Sequence, residues 1–162
     1  MTILEEIESI LKKLPKPYAV AFALHCAEDV YHLVDVKNKA LVDECLELIR
    51  LWLRDIRRRP ELELRLKALA DQLYSGIMLL AWLESGEAPA AQAAVIRAAW
   101  ATISSEVDWK MLAMEEARES AKAAAEASGN PDKKFQEYKE YLLGMVKEIS
   151  RVEKLIWNLE EV

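Results

Sequence analysis

Glycine and proline are scarce in this chain, 4 and 5 of its 162 residues. With so few residues that turn the backbone, its regular elements must be long and its loops few. Cysteine occurs twice, at Cys26 and Cys45, without a CxxC pair or the Cys/His spacing of a zinc site. The sequence therefore predicts free thiols and a cytoplasmic location, where thiols stay reduced. Runs of alternating β-branched residues are missing, which argues against strands. No stretch reaches the roughly 18 apolar residues of a membrane span. The start, Met1-Thr-Ile-Leu-Glu-Glu6, lacks the basic region of a secretion signal, so no membrane association is expected. Nucleophile elbows, Gly-rich phosphate loops and HExxH are absent too, and the expectation is a protein that is not an enzyme and carries no cofactor. Positive charge is also short: the net charge is −6 and the pI about 5.1, which speaks against duplex nucleic acid as a partner.

What is present is helix-forming. The residues are 52% hydrophobic and 31% charged, a globular balance, and Ala, Leu, Glu, Lys and Arg dominate. The expected fold class is all-α: residues 1–162 as a single compact bundle of six or seven helices with a long heptad-patterned helix at the C-terminus.

Thr2-Ile-Leu-Glu5 has the pattern of a capping box and predicts a short first helix with Ile3, Leu4, Ile7, Ile10, Leu11 and Leu14 on one face. Pro15 and Pro17 end it, and Pro17 starts a second helix reaching about Val36. Lys37-Asn38-Lys39 reads as a turn, with Asn38 the N-cap of a third helix over about 39–56. That helix carries a stripe of Leu41, Val42, Cys45, Leu48, Ile49 and Trp52. A fourth, about 60–84, carries Leu62, Leu66, Leu69, Leu73, Ile77 and Leu80. Ser85-Gly86 and Pro89 then punctuate the chain. The Ala-rich segment 89–128 would span about 60 Å as one helix, too long for a bundle of this size. A break is predicted near Ser104-Ser105, ahead of Glu106 and Asp108. After Ser128-Gly129-Asn130-Pro131 comes the last helix. Its seam is Phe135, Tyr138, Leu142, Met145, Ile149, Val152, Ile156 and Leu159, in steps of three and four. Such a seam packs along its own bundle or pairs with a second copy in a homodimer. Tyr141, Val146, Leu155 and Trp157 widen the apolar face and favour the first.

The second helix is expected to be central, with the C-terminal helix laid along it, and it bears the only chemically suggestive residues. His25, Glu28 and His32 share a helical face, flanked by Asp29 and Asp35, and two imidazoles with a carboxylate could hold a divalent metal. At 100° per residue, however, Ala19, Val20, Ala23, Ala27, Val30 and Val34 lie opposite them, so the polar cluster should face water or a partner. No third histidine exists to complete a metal set. Neither Cys26 nor Cys45 is placed to share a proton with a histidine. A second candidate surface is basic. Arg50, Arg54, Arg57, Arg58, Arg59, Arg65 and Lys67 outnumber Asp55, Glu61 and Glu63, and could meet phosphate or an acidic partner, or simply suit a helix C-terminus and a solvated turn. The predicted contact residues are His25, Glu28, Asp29, His32, Asp35, Arg57, Arg58 and Arg59, with no catalytic and no metal-binding residue.

Ala-Phe-Ala-Leu-His-Cys-Ala-Glu-Asp-Val (21–30), Glu47-Leu-Ile-Arg-Leu-Trp-Leu53 and Arg97-Ala-Ala-Trp-Ala-Thr102, in that order, resemble the immunity proteins of bacterial polymorphic-toxin systems over roughly residues 18–102. The resemblance implies an all-helical cytoplasmic protein that neutralises a toxin domain by binding it. Family members carry a histidine after the Ala-Thr of the third motif; here Ile103 and Ser104 follow. The expectation is thus a non-enzymatic protein-binding module. A helical homo-oligomer and a metal-dependent hydrolase at His25, Glu28 and His32 are the alternatives.

Overall fold

The computed structural model describes residues 1–83, 87–103 and 109–160, and the side chains within 1–75, 89–103 and 113–151. Its first helix, α1 (Ile3–Leu11), opens on the capping box: Thr2 Oγ1 accepts from the Glu5 amide at 3.1 Å, and Glu5 Oε2 accepts from the Thr2 amide at 3.2 Å. Leu14 is buried where the chain turns at Pro15 into α2 (Lys16–Asp29). Two single 3-10 turns, Tyr31–Leu33 and Val36–Asn38, lead to α3 (Lys39–Arg54), and a third, Ile56–Arg58, leads to α4 (Arg59–Leu83). Then come α5 (Glu87–Ile103), α6 (Trp109–Ala127) and α7 (Pro131–Glu160). The protein is all-α, a compact bundle of seven α-helices with no strand among the described residues. The Ala-rich segment is two helices; the junction predicted at Ser104-Ser105 lies outside the described residues. No helix among them is long and apolar enough to cross a membrane.

Alanine sets the spacing of the centre. Ala91, Ala94, Ala98, Ala99 and Ala101 on α5 and Ala117, Ala121, Ala124 and Ala125 on α6 are completely buried, as are Ala23 and Ala27 on α2. A methyl side chain lets backbones approach closely, so α2, α5 and α6 form one tight layer. Ser120 sits where the three meet: its hydroxyl lies 2.8 Å from the Ala94 carbonyl oxygen and 3.3 Å from that of Ala23. Larger residues fill the periphery. Leu62, Leu66 and Leu73 of α4 and Val42, Cys45, Leu48, Ile49 and Trp52 of α3 are buried at the helical spacing read from the sequence.

Three expectations need correcting. The second helix stops at Asp29 instead of continuing to Val36. No Gly or Pro marks this end. Glu28 and Asp29 sit at the negative pole of the helix with no basic residue in the last turn, which weakens continuation. The 3-10 turn then returns Val34 to the core at 4% exposure. Second, α2 shares the centre with α5, which touches α2, α3, α4 and α6. Third, α7 runs along α1 and α6, and meets α2 at one polar edge rather than lengthwise. Lys139 of α7 pairs with Glu6 at 2.6 Å and Arg118 of α6 with Glu8 at 3.1 Å, so α1 bridges the α6–α7 hairpin.

Candidate functional site

The early end of α2 divides the polar face on which the sequence placed five contact residues. His25 and Asp29 lie against α7, Glu28 turns to α3, His32 stands exposed on the 3-10 turn, and Asp35 caps the next turn by accepting from the Lys37 amide at 3.0 Å. The structure thus does not gather His25, Glu28 and His32. Among the described residues no group of three or more His, Cys, Asp or Glu side chains is close enough to hold a metal ion.

On the α7 side the chemistry is dense. The His25 ring stacks on Tyr141 with centroids 3.6 Å apart and planes within 2°, and meets Tyr138 edge-on at 6.3 Å. Tyr138, only 1% exposed, donates its hydroxyl proton to Asp29 Oδ2 at 2.8 Å. Lys134 reaches the same oxygen at 3.0 Å and Glu137 at 3.0 Å. Burial raises the Tyr138 phenol far above its ordinary value, and the neighbouring Asp29 adds to that. Burial also acts to raise the Asp29 carboxyl, but the hydrogen bonds from Lys134 and Tyr138 outweigh it and hold it low. Lys134 is held high by its two carboxylates, and burial holds His25 below its ordinary value despite Asp29 and Glu28. The Cys26 thiol, completely buried beside this cluster, is pushed well up by burial and is no nucleophile; burial takes Cys45 up to about 12.

Two grooves flank the end of α2. The larger, about 430 Å³, is lined by Glu28, Tyr31, Asp43, Leu46, Glu47 and Arg50. Arg50 spans it, 3.5 Å from Glu28 and 3.2 Å from Glu47, and the Asp43 carboxylate holds the Tyr31 phenol above its ordinary value. The smaller, about 270 Å³, lies between the Tyr31–Leu33 turn and the α6–α7 hairpin, with Asp29, His32, Ser128 and Lys134 in its walls. Glu28 and Tyr31 line the larger groove and His32 the smaller.

The basic run is distributed over intramolecular pairs. Arg54 bonds Glu47 at 3.3 Å, Arg58 bonds Glu61 at 3.3 Å and Arg65 lies 3.4 Å from Glu44. Arg59 lies over the Trp52 ring, 3.9 Å from its centroid, and donates to the Trp52 carbonyl at 2.9 Å. Lys16 also lies over that ring, 5.2 Å from its centroid, while the indole N–H donates to Glu63 at 3.0 Å. Arg57 is exposed at the α3–α4 corner.

Tyr31, Asp43, Lys134, Tyr138 and Tyr141 join the site without having been singled out for it, and Arg50, noted only as part of the basic run, joins it too. Tyr138 and Tyr141 were visible as apolar positions of a last helix expected along the second, but no sequence signal paired them with His25 and Asp29, about 110 residues away. The three motifs that carry the family resemblance are mostly core. Phe22, Ala23, Cys26 and Ala27, then Leu48, Ile49 and Trp52, then Ala98, Ala99, Ala101 and Thr102 are all buried. Comparison of this chain with family models, with curated proteins and with solved structures finds no match.

Proposed function

We propose that this chain is a non-enzymatic protein-binding module of the immunity-protein kind, and that its contact surface is the pair of grooves lined by Glu28, Tyr31 and His32. The observation that carries this reading is the paired-groove geometry at the end of α2. Exposed carboxylates, an aromatic ring, an imidazole and one bridging arginine, contributed by α2, the 3-10 turn after it and α3, line these grooves. Such a surface presents shape and hydrogen-bonding groups together, as the contact surface for a protein partner does. The contact set read from the sequence is reduced accordingly. Glu28 and His32 stay on the surface, while Asp29 serves both the groove and the α7 contact.

The test is binding and protection. The protein encoded beside this chain in its own genome is expressed alone and together with it, and binding is followed by titration calorimetry. Growth protection and a complex weakened at least tenfold by Glu28→Ala with His32→Ala support the reading. Absence of binding and protection, or a complex indifferent to both substitutions, overturns it.

One feature favours homo-oligomerisation as a second reading. The hairpin at Ser128–Asn130 sets α7 antiparallel to α6, yet α7 has 30 residues and α6 has 19. At 1.5 Å per residue α7 runs about 16 Å past the start of α6. Light scattering at micromolar concentration decides it: a monomeric mass removes this reading.

A further inference from the structure

We propose that α7 is a latch, seated on the rest of the bundle by the cluster of His25, Asp29, Tyr138 and Tyr141 and hinged at Ser128–Gly129–Asn130, which mild acid loosens through His25. The geometry supports each part. Within 131–151 only Tyr138 and Leu142 are fully buried, whereas α5 and α6 bury residues along most of their described length. An element with few buried contacts opens at lower free energy than the core does. What seats α7 is a thin apolar seam, Leu142 with the half-buried Phe135, Met145, Val146 and Ile149, together with a few polar and aromatic contacts: the His25–Tyr141 stack, Tyr138 and Lys134 on Asp29, and Lys139 on Glu6. The hinge is short and contains the one described residue with positive φ, Gly129 at +80°.

His25 is the group that titrates in the range where a cell can act on it. From α2 it faces Asp29 and Glu28, and from α7 it faces Lys134, Tyr138 and Tyr141. The two carboxylates attract a proton onto it, but both are already engaged, Asp29 by Tyr138 and Lys134 and Glu28 by Arg50. Burial beneath Tyr141 and the nearby Lys134 ammonium oppose it and prevail. A docked His25 thus binds its proton less readily than an undocked one, so protons favour the undocked state. The effect begins as pH falls below about 6.5, the ordinary imidazole value, and is complete below the docked one. Opening also dismantles the smaller groove, because Ser128 and Lys134 form one of its walls.

Hydrogen exchange on the full chain tests this. Protection factors, which remove the intrinsic pH dependence of amide exchange, are compared for residues 131–151 of α7 and 89–103 of α5 at pH 7.5 and 5.5. The expected result is weaker protection in α7 than in α5 at pH 7.5, and a further several-fold fall at pH 5.5 confined to α7 and its hinge. His25→Phe keeps a ring on Tyr141 without a titrating group and is expected to abolish the pH step, and His25→Gln to do the same from a looser starting point. Equal protection of α7 and α5 at both pH values overturns the latch, and a pH step retained in both variants overturns the role of His25.

Discussion

The hydroxyl of Ser120 lies 2.8 Å from the carbonyl oxygen of Ala94, with the Ala23 carbonyl oxygen 3.3 Å away on the other side. Both carbonyls belong to helices, so the serine adds a bond at a completely buried point where three backbones converge. Ser120→Ala keeps the spacing and loses the bond, and should cost about 1 kcal/mol. Ser120→Val must push α2 or α5 outward and should cost more, about 2–3 kcal/mol. Urea denaturation of the two variants measures the difference. A valine no worse than alanine would mean that the helices are not as close as the alanine layer implies.

The ease with which this layer could be foreseen varies with the kind of signal. Stripes such as Leu62, Leu66 and Leu73, or Val42, Cys45 and Ile49, are written locally, because one helix face decides burial. The Thr2–Glu5 box is local too. The end of α2 is not. Val30 looks like a helix residue, and only the need to bury Val34 and the two acids at the helix pole turn the chain there. That single displacement separated His25 from His32 and divided a face that periodicity alone makes continuous. Tyr138 and Asp29 meet only because the hairpin at Gly129 folds α7 back, so their contact had no sequence signature.

Arg59 is the clearest case of a predicted surface residue tied into the fold. Its guanidinium lies 3.9 Å from the Trp52 ring centroid and its Nε donates to the Trp52 carbonyl. Arg59→Ala should destabilise the protein by about 1–2 kcal/mol, combining a cation–π contact with a charged hydrogen bond. Arg59→Lys should recover only part, since an ammonium cannot stack as a planar fork does. Arg57→Ala, on the same exposed corner, should stay within about 0.5 kcal/mol of the parent. Equal effects of Arg57→Ala and Arg59→Ala in thermal melts would contradict this division.

Gly129 offers a test of backbone conformation separate from packing. Its φ is +80°, and a Cβ placed there would meet nothing within 4 Å. Any loss on Gly129→Ala therefore comes from the left-handed backbone, about 1–2 kcal/mol. Gly129→Asn should cost less, because asparagine tolerates that region better. Denaturation midpoints that rank alanine and asparagine the other way would show that the turn relaxes to another geometry.

Asn38 was expected to cap α3 with its side chain, and it does occupy the N-cap position, but it makes no capping bond. Its amide instead donates to Gln92 Oε1 at 2.8 Å, and Gln92, 1% exposed, passes the connection on to the Leu73 carbonyl at 3.3 Å. This chain ties the Val36–Asn38 turn to α5 and α4 through one buried amide. Asn38→Ala leaves a buried acceptor without its donor and should cost about 1–3 kcal/mol. Gln92→Leu removes the acceptor but leaves the part-buried Asn38 amide free to turn toward solvent, so it should cost less. With Gln92 already replaced by leucine, the Asn38 substitution has no acceptor left to orphan, and its effect should shrink toward zero. The double-mutant cycle measures that coupling directly. Additive losses would show that Asn38 acts through the turn it sits in, and that the bond to Gln92 carries none of the stability assigned to it.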